Sequence, residues 1–313
     1  ALGVSMGKSK DGGLTWQVFR PTDPQSENIH GDNHALWLDP ENPERILLGN
    51  DGGVSISYDG GKKWDNFFDQ LPTTQFYTVT YDPGGEGTQI QVDPEQTNVV
   101  YSSTYYGRLM KSDMDLPDSL QHKKISLFDV GRIDSLRGEW LAATLISRFN
   151  SRVVYHGLQH LYRSADGGES WQLISPDLSY QDTSRMGKYP YLIYHQAITA
   201  IAEGSRPGIL YAGTDDGKVW RSLQDGKDWK DLTQGLPYNK HVAKIATGIK
   251  NPDRVYLVLN DRRQDNHTPY LYSSDDQGIH WIRISGDLPA SPVNVVAEDP
   301  RKNGYLYCGT DMG

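Results

Sequence analysis

One octapeptide, S-x-D-x-G-x-x-W, returns along this chain and constrains its fold more than any other feature. It reads Ser9-Lys-Asp11-Gly-Gly13-Leu-Thr-Trp16 and Ser57-Tyr-Asp59-Gly-Gly61-Lys-Lys-Trp64. It returns as Ser164-Ala-Asp166-Gly-Gly168-Glu-Ser-Trp171 and Ser274-Asp-Asp276-Gln-Gly278-Ile-His-Trp281. A fifth copy, Ser222-Leu-Gln224-Asp-Gly226-Lys-Asp-Trp229, has Gln in place of the first Asp. The tryptophans at 16, 64, 171, 229 and 281 are separated by 48, 107, 58 and 52 positions. A repeat of this length is the mark of a propeller or solenoid. The 107-residue step spans two units, with a degenerate copy expected near Ser112-Asp-Met114.

Each residue of the motif has a use in a tight turn. Ser and Asp oxygens accept bonds from backbone N–H groups a few positions on. The second Gly supplies a positive φ that other residues adopt at a cost. The Trp is expected to pack back across its own hairpin, where full burial stabilises by roughly 4–6 kcal/mol as an upper bound. The motif is thus fully accounted for by folding, which outweighs a ligand-binding role.

A second periodic element precedes each octapeptide: an apolar strand, a turn that is Asp-Pro in three of the copies, then an apolar strand ending in a small residue. Ala35–Pro40 leads to Ile46–Gly49, Ile90–Pro94 to Val99–Ser102, and Ile198–Ile201 to Ile209–Gly213. Further copies run from Leu145 to Gly157, from Ile245 to Val258 and from Val293 to Gly309. Two strands before the box and two around it make four antiparallel strands in ~40–50 residues, a propeller blade. The expectation is an all-β chain of about seven four-stranded blades, with segments near 1–29, 30–72, 73–115, 140–190, 191–237, 238–289 and 290–313. Residues 112–139 lack the pattern and read as an insertion or long loop. The last segment stops where another strand and box are expected, so the chain reads as part of something longer rather than a ring closed by its first half-blade.

Composition removes several function classes. The net charge of −9 carries no basic stripe and argues against nucleic acid. The lone Cys308, in the apolar run Tyr305-Leu-Tyr-Cys308, excludes an intramolecular disulfide and reads as a small core residue. No run approaches the ~18 apolar residues of a membrane-spanning helix. No residue pattern calls for a cofactor. Gly7-Lys-Ser9 lacks the leading glycine of a phosphate loop, and the sequon Asn266-His-Thr268 matters only in a eukaryotic secretory route.

The octapeptides resemble the Asp-box (BNR) repeats of sialidases, xyloglucanases, the sortilin/VPS10 receptor domain and the photosystem II assembly propeller. The runs His30-Gly-Asp-Asn-His34-Ala-Leu-Trp-Leu-Asp-Pro40, Gly49-Asn-Asp-Gly-Gly53 and Gly213-Thr-Asp-Asp-Gly217 are similar to large bacterial secreted propellers described as sortilin-like or as glycosyl hydrolases. The resemblance implies a β-propeller, one wheel of a larger or double propeller, and a secreted, periplasmic or cell-surface home in a bacterium. Activity does not follow from a fold that hosts many functions.

In a four-stranded meander the boxes lie at one end, and the loops joining the second strand to the third and one sheet to the next lie at the other. That opposite rim gathers His30, Asp32, His34, Asp51, His156, His160, His195, His241, Arg262 and Arg263 as candidate binding residues. Asp215, Asp216 and Asp311 recur at equivalent places and read as turn residues. His30, Asp32 and His34 alternate, so an extended backbone would point all three one way, as a metal site requires; satisfying backbone groups at the start of a blade is the competing reading. Two function classes follow. The favoured one is a non-catalytic module that binds a protein or glycan, or serves as a subunit of a surface assembly. The alternative is a sialidase- or xyloglucanase-like hydrolase with paired carboxylates such as Asp32 and Asp51. The sialidase form needs an arginine triad, and Phe19-Arg-Pro21 follows a box where that family's first arginine precedes them.

Overall fold

A computed structural model describes residues 6–8, 14–15, 17–19, 33–42, 44–50, 53–66, 89–127, 136–182, 184, 196–301 and 304–311. The chain divides into two compact units, Ala1–Phe76 and Tyr77–Gly313. The first holds a hairpin of β1 (Met6–Lys8) and β2 (Gln17–Phe19) and a sheet of β3 (Asn33–Leu38), β4 (Ile46–Asn50), β5 (Gly53–Ser57) and β6 (Asp65–Asn66). Ile46, Leu48 and Trp64 form its buried cluster.

The second unit is a run of antiparallel meanders. Its sheets are β7 (Gln89–Val92) to β10 (His122–Lys124), with β8 (Val99–Thr104) and β9 (Arg108–Asp113) between, and β11 (Thr144–Ile146), β12 (Val154–Gly157), β13 (Leu161–Ser164) and β14 (Gln172–Leu173). Then come β15 (Ile198–Glu203), β16 (Leu210–Thr214), β17 (Val219–Ser222) and β18 (Trp229–Asp231), followed by β19 (His241–Thr247), β20 (Val255–Asp261), β21 (Asn266–Ser274) and β22 (Ile282–Arg283). The pair β23 (Val293–Glu298) and β24 (Leu306–Thr310) ends it. Among the described residues the only α-helix is the single turn α1 (Asp118–Gln121), and no helix is long and apolar enough to cross a membrane. Residues 112–139, read from the sequence as an insertion, contain α1 and β10, the fourth strand of its sheet.

The core is divided into layers between successive sheets. Tyr211, Val219, Val242, Ile245, Leu257 and Leu259 fill the layer between the sheets of β15–β18 and β19–β22. Tyr155, Leu161, Ile198 and Leu210 fill the layer before it, and Tyr256, Leu271, Val293 and Val296 the one after. A second strand with neighbours on both faces is covered on both, which is why β16 and β20 are buried along their whole length, Asn260 and Asp261 at the end of β20 included. Cys308 is half-buried against the last layer, where burial pushes its thiol pKa up.

The octapeptides form the turns between third and fourth strands. Ser164 Oγ donates to Asp166 Oδ1 at 2.7 Å and accepts the Gly168 N–H at 2.7 Å, while the same carboxyl oxygen accepts the Ser170 N–H at 2.9 Å. Ser274, Asp276 and Gly278 repeat this geometry, as do Ser57, Asp59 and Gly61 in the first unit. In the copy with Gln224, the carboxylate comes from the other side of the turn: Asp228 accepts Ser222 Oγ and the N–H groups of Leu223 and Gln224. In the degenerate unit, Ser112 Oγ faces His122 Nδ1 at 2.8 Å instead. The first copy (Ser9, Asp11, Gly13, Trp16) lies outside the described residues.

The tryptophans depart from the expected packing. In the second unit each is half-buried and reaches backward to the preceding sheet. Trp171 Nε1 donates to Ile125 O at 2.8 Å, Trp229 to Ile174 O at 2.9 Å, and Trp281 to Leu232 O at 2.9 Å. These carbonyls follow β10, β14 and β18, so the indole pins neighbouring sheets together. Among the described octapeptide tryptophans only Trp64 is buried, and it closes its own turn on Gly61 O at 3.2 Å.

A second fastening reaches forward. Cross-strand Tyr/basic pairs stand in three successive sheets: Tyr101 with Lys111, Tyr155 with Arg163, and Tyr211 with Arg221. Tyr101 Oη bonds Gly167 O at 3.2 Å, Tyr155 Oη bonds Asp225 at 3.3 Å, and Arg221 Nη1 bonds Gln277 O at 3.0 Å. Each acceptor sits in the octapeptide turn of the next sheet.

Candidate functional site

At the end of the second unit opposite these turns, second-to-third-strand loops meet the connectors between sheets. They come close enough that a Cβ on Gly217 would lie 2.9 Å from backbone atoms of Lys240, and Gly217 has a φ of +97°. The resulting rim is held by ion pairs between distant residues. The Arg263 guanidinium bridges Glu139 and Asp215, whose carboxylates are almost wholly buried. Arg137 pairs with Asp177 at 2.6 Å, Lys240 with Asp261 at 2.5 Å, and Lys218 with Asp231 at 2.5 Å. Asp215 also accepts the Ala197 N–H at 2.9 Å, and Asp216 accepts Thr214 Oγ1 and the Tyr180 N–H. Asn294 bonds Asp311 at 2.6 Å. Asp215 and Asp216 thus link one sheet's loop to its neighbours, while Asp231, Asp261 and Asp311 are held within their own sheets.

Burial and charge set the titration of this cluster. Burial pushes the Glu139 carboxyl up, but the Arg263 guanidinium and the Leu141 N–H oppose it, and the group is held below the usual carboxylate range. Burial raises the Asp216 pKa despite its bonds from Thr214 and Tyr180, and Asp215 beside it adds to the rise. Burial, with Arg263 and Arg262 nearby, drops His241 to about 4, so its ring is neutral at pH 7. Its Nδ1 is buried without a hydrogen-bond partner, as are Gln196 Oε1 and Asn239 Oδ1.

The structure brings together His241, Arg262 and Arg263 from the sequence-derived candidates, the two arginines acting on the His241 charge. His156 is not available for binding. It is fully buried in β12, with Nε2 on Gly107 O at 2.9 Å and Nδ1 facing Thr144 Oγ1 at 2.9 Å. A carbonyl only accepts, so Nε2 carries the proton and Nδ1 accepts from the threonine. His160 is half-buried in the β12–β13 loop, edge-on to Tyr162. His30, Asp32, Asp51 and His195 lie outside the described residues. The backbone at His34 is a bulge: the β3–β4 register shifts between Asn33 and Ala35. Thr199, Ala243 and Asn294 occupy equivalent bulges. Among the described residues no three His, Cys, Asp or Glu side chains gather as a metal would need.

Two rim features escaped the sequence reading. Glu139 lies in the supposed insertion, and its partner Arg263 is 124 positions away. The other is an aromatic pair from successive connectors, Tyr180 and Tyr238, whose ring centroids are 5.2 Å apart with planes at 68°. A signal for it was present: Leu178-Ser-Tyr180-Gln and Leu236-Pro-Tyr238-Asn stand at matching places in consecutive repeats.

A groove of about 590 Å³ lies at the other end, lined by Arg163, Gln172, Ser175, Asp225, Lys227 and Trp229. Its walls are the sheet-fastening residues themselves, so it follows from the packing of the turns.

No protein-family model matches this chain, and no curated protein does either. Solved structures do. The GH74 xyloglucanase from Xanthomonas campestris superposes with a TM-score of 0.52 at 16% identity, over 89% of this chain and 44% of that one. An ancestral GH74 enzyme gives 0.52 at 17% identity, over 87% of this chain and 33% of that one. The chain thus spans less than half the length of either structure. The fold is a β-propeller type. At such identities the likeness extends to the fold alone.

Proposed function

We propose that this chain is a non-catalytic, extracytoplasmic propeller module that binds a protein or glycan through the rim opposite the octapeptide turns, alone or within a surface assembly. The observation that carries this is the commitment of the rim carboxylates: Glu139 and Asp215 to Arg263, Asp261 to Lys240, Asp177 to Arg137. A glycosidase needs two carboxyl groups facing a sugar across an open cleft. These are neutralised and shielded, which suits a rigid platform for exposed loops. The extracytoplasmic setting rests on the sequence resemblance to secreted propellers.

One observation favours the hydrolase alternative: Glu139 is held low and Asp216 raised, a split that suits a base and an acid. Assay of the purified chain on chromogenic glycosides and xyloglucan decides between the two. The binding-module reading expects no turnover. Turnover abolished by Glu139→Gln, Asp216→Asn, Asp32→Ala or Asp51→Ala would replace it with hydrolysis.

A further inference from the structure

Tyr180 and Tyr238 stand where two successive connectors reach the rim, and each is followed by a residue in the left-handed region, Gln181 at φ 57° and Asn239 at φ 57°. Non-glycine residues adopt this conformation at a cost, and it concentrates at sites where chain direction matters. Here it turns both connectors just after the tyrosines. Tyr238 is 60% exposed and stands edge-to-face with Tyr180.

The charges around the notch are already paired. The Lys218 ammonium lies 4.6 Å from the Tyr180 ring centroid and 5.4 Å from that of Trp220, and it is bound to Asp231. A cationic ligand would meet that ammonium over Tyr180. An anionic one would find the nearby cations Arg137, Lys218, Lys240 and Arg263 each facing a carboxylate. What is left unsatisfied is polar and uncharged: Asn239 Oδ1 next to Tyr238, His241 Nδ1 two residues on, and Gln196 Oε1. Buried polar atoms without partners are costly, and a hydroxyl, which both donates and accepts, suits the two amide oxygens and either tautomer of the imidazole.

We infer that the Tyr180–Tyr238 notch is a subsite for an uncharged oligosaccharide, one sugar ring laying its C–H face on Tyr238 while its hydroxyls reach the Asn239 and His241 side. This rests on the rim-binding reading above and names its ligand class. A proline-rich peptide also stacks on tyrosines, but it has no N–H groups to offer the unpaired acceptors.

The test is calorimetric titration of the whole chain with cellohexaose, xylohexaose, mannohexaose and a decaproline peptide, at low and high salt. At least one hexasaccharide is expected to bind with an affinity unchanged by salt, since no ion pair forms. Tyr238→Ala should weaken it about tenfold or more, Tyr238→Trp should retain it, and Tyr58→Ala, on the first unit, should leave it unchanged. Thermal melts of each variant establish that it is folded. Binding of decaproline alone, binding of none of the three sugars, or sugar binding that Tyr238→Ala leaves intact would each overturn the inference. If Arg263→Ala abolishes capture of a protein partner in any of those cases, the rim-binding reading stands without it.

Discussion

The octapeptide is a turn in which each residue's task can be stated. Gly278 has a φ of +88°, and a Cβ there would lie 2.6 Å from Leu232 Cδ1 of the preceding sheet. Gly226, at +87°, would meet Ile174 O at 2.6 Å. The position thus needs glycine twice, for its backbone and for the approach of the neighbour. Gly278→Ala should cost about 2–4 kcal/mol in chemical denaturation. The aspartates are held well below the usual carboxylate range, Asp166 first by the Ser170 hydroxyl and amide, Asp276 first by the His280 amide. A depressed carboxylate stabilises above its unfolded pKa of 3.8, and that contribution is lost as pH falls toward the folded value. His156 works in a higher window. Its folded pKa of about 4 lies below the ordinary 6.5, so the unfolded chain binds more protons between them. Stability should be full above pH 6.5 and fall toward pH 4, by about 3 kcal/mol from this group. Equilibrium unfolding across that range should show the slope, and His156→Gln should reduce it, with His241 supplying the part that remains.

Between elements, neighbouring sheets are tied in both directions, and here the sequence was only partly legible. The turn could be read because its bonds are local: Ser164 to Asp166 and Gly168 spans four positions. The destination of the tryptophan could not, since Trp281 and Leu232 are 49 positions apart and the motif names only one of them. The Tyr/basic pairs left a trace, Lys111-Ser, Arg163-Ser and Arg221-Ser before successive turns, whose meaning depends on which sheet lies next. Trp281→Phe removes the bond to Leu232 O together with part of the indole packed on the core, so it should cost about 1–3 kcal/mol. Arg221→Met leaves two Gln277 oxygens without their donor and should cost about 1–3 kcal/mol. A double variant tests whether the backward and forward ties act independently, in which case the two losses add.

On the scale of the second unit, the two ends of the sheets divide the work. Turns at one end join sheet to sheet through short, repeated contacts. At the other, loops converge on a charge-compensated rim that exposes Tyr238 beside unpaired polar atoms. Strand order read from the sequence puts the loops at this end, and the structure places His241 and Arg263 among them. The sequence misplaced His156, because a histidine at the end of a strand looks the same whether it faces the rim or the core. It missed Glu139 and the tyrosine pair, because ion pairs and ring contacts across sheets follow spatial neighbours rather than the repeat. The division of labour is tested most directly by thermal and chemical unfolding of Gly278→Ala and Tyr238→Ala side by side. The account predicts a loss of about 2–4 kcal/mol for the turn variant and less than about 0.5 kcal/mol for the rim variant. A neutral turn variant with a destabilised rim variant would contradict it.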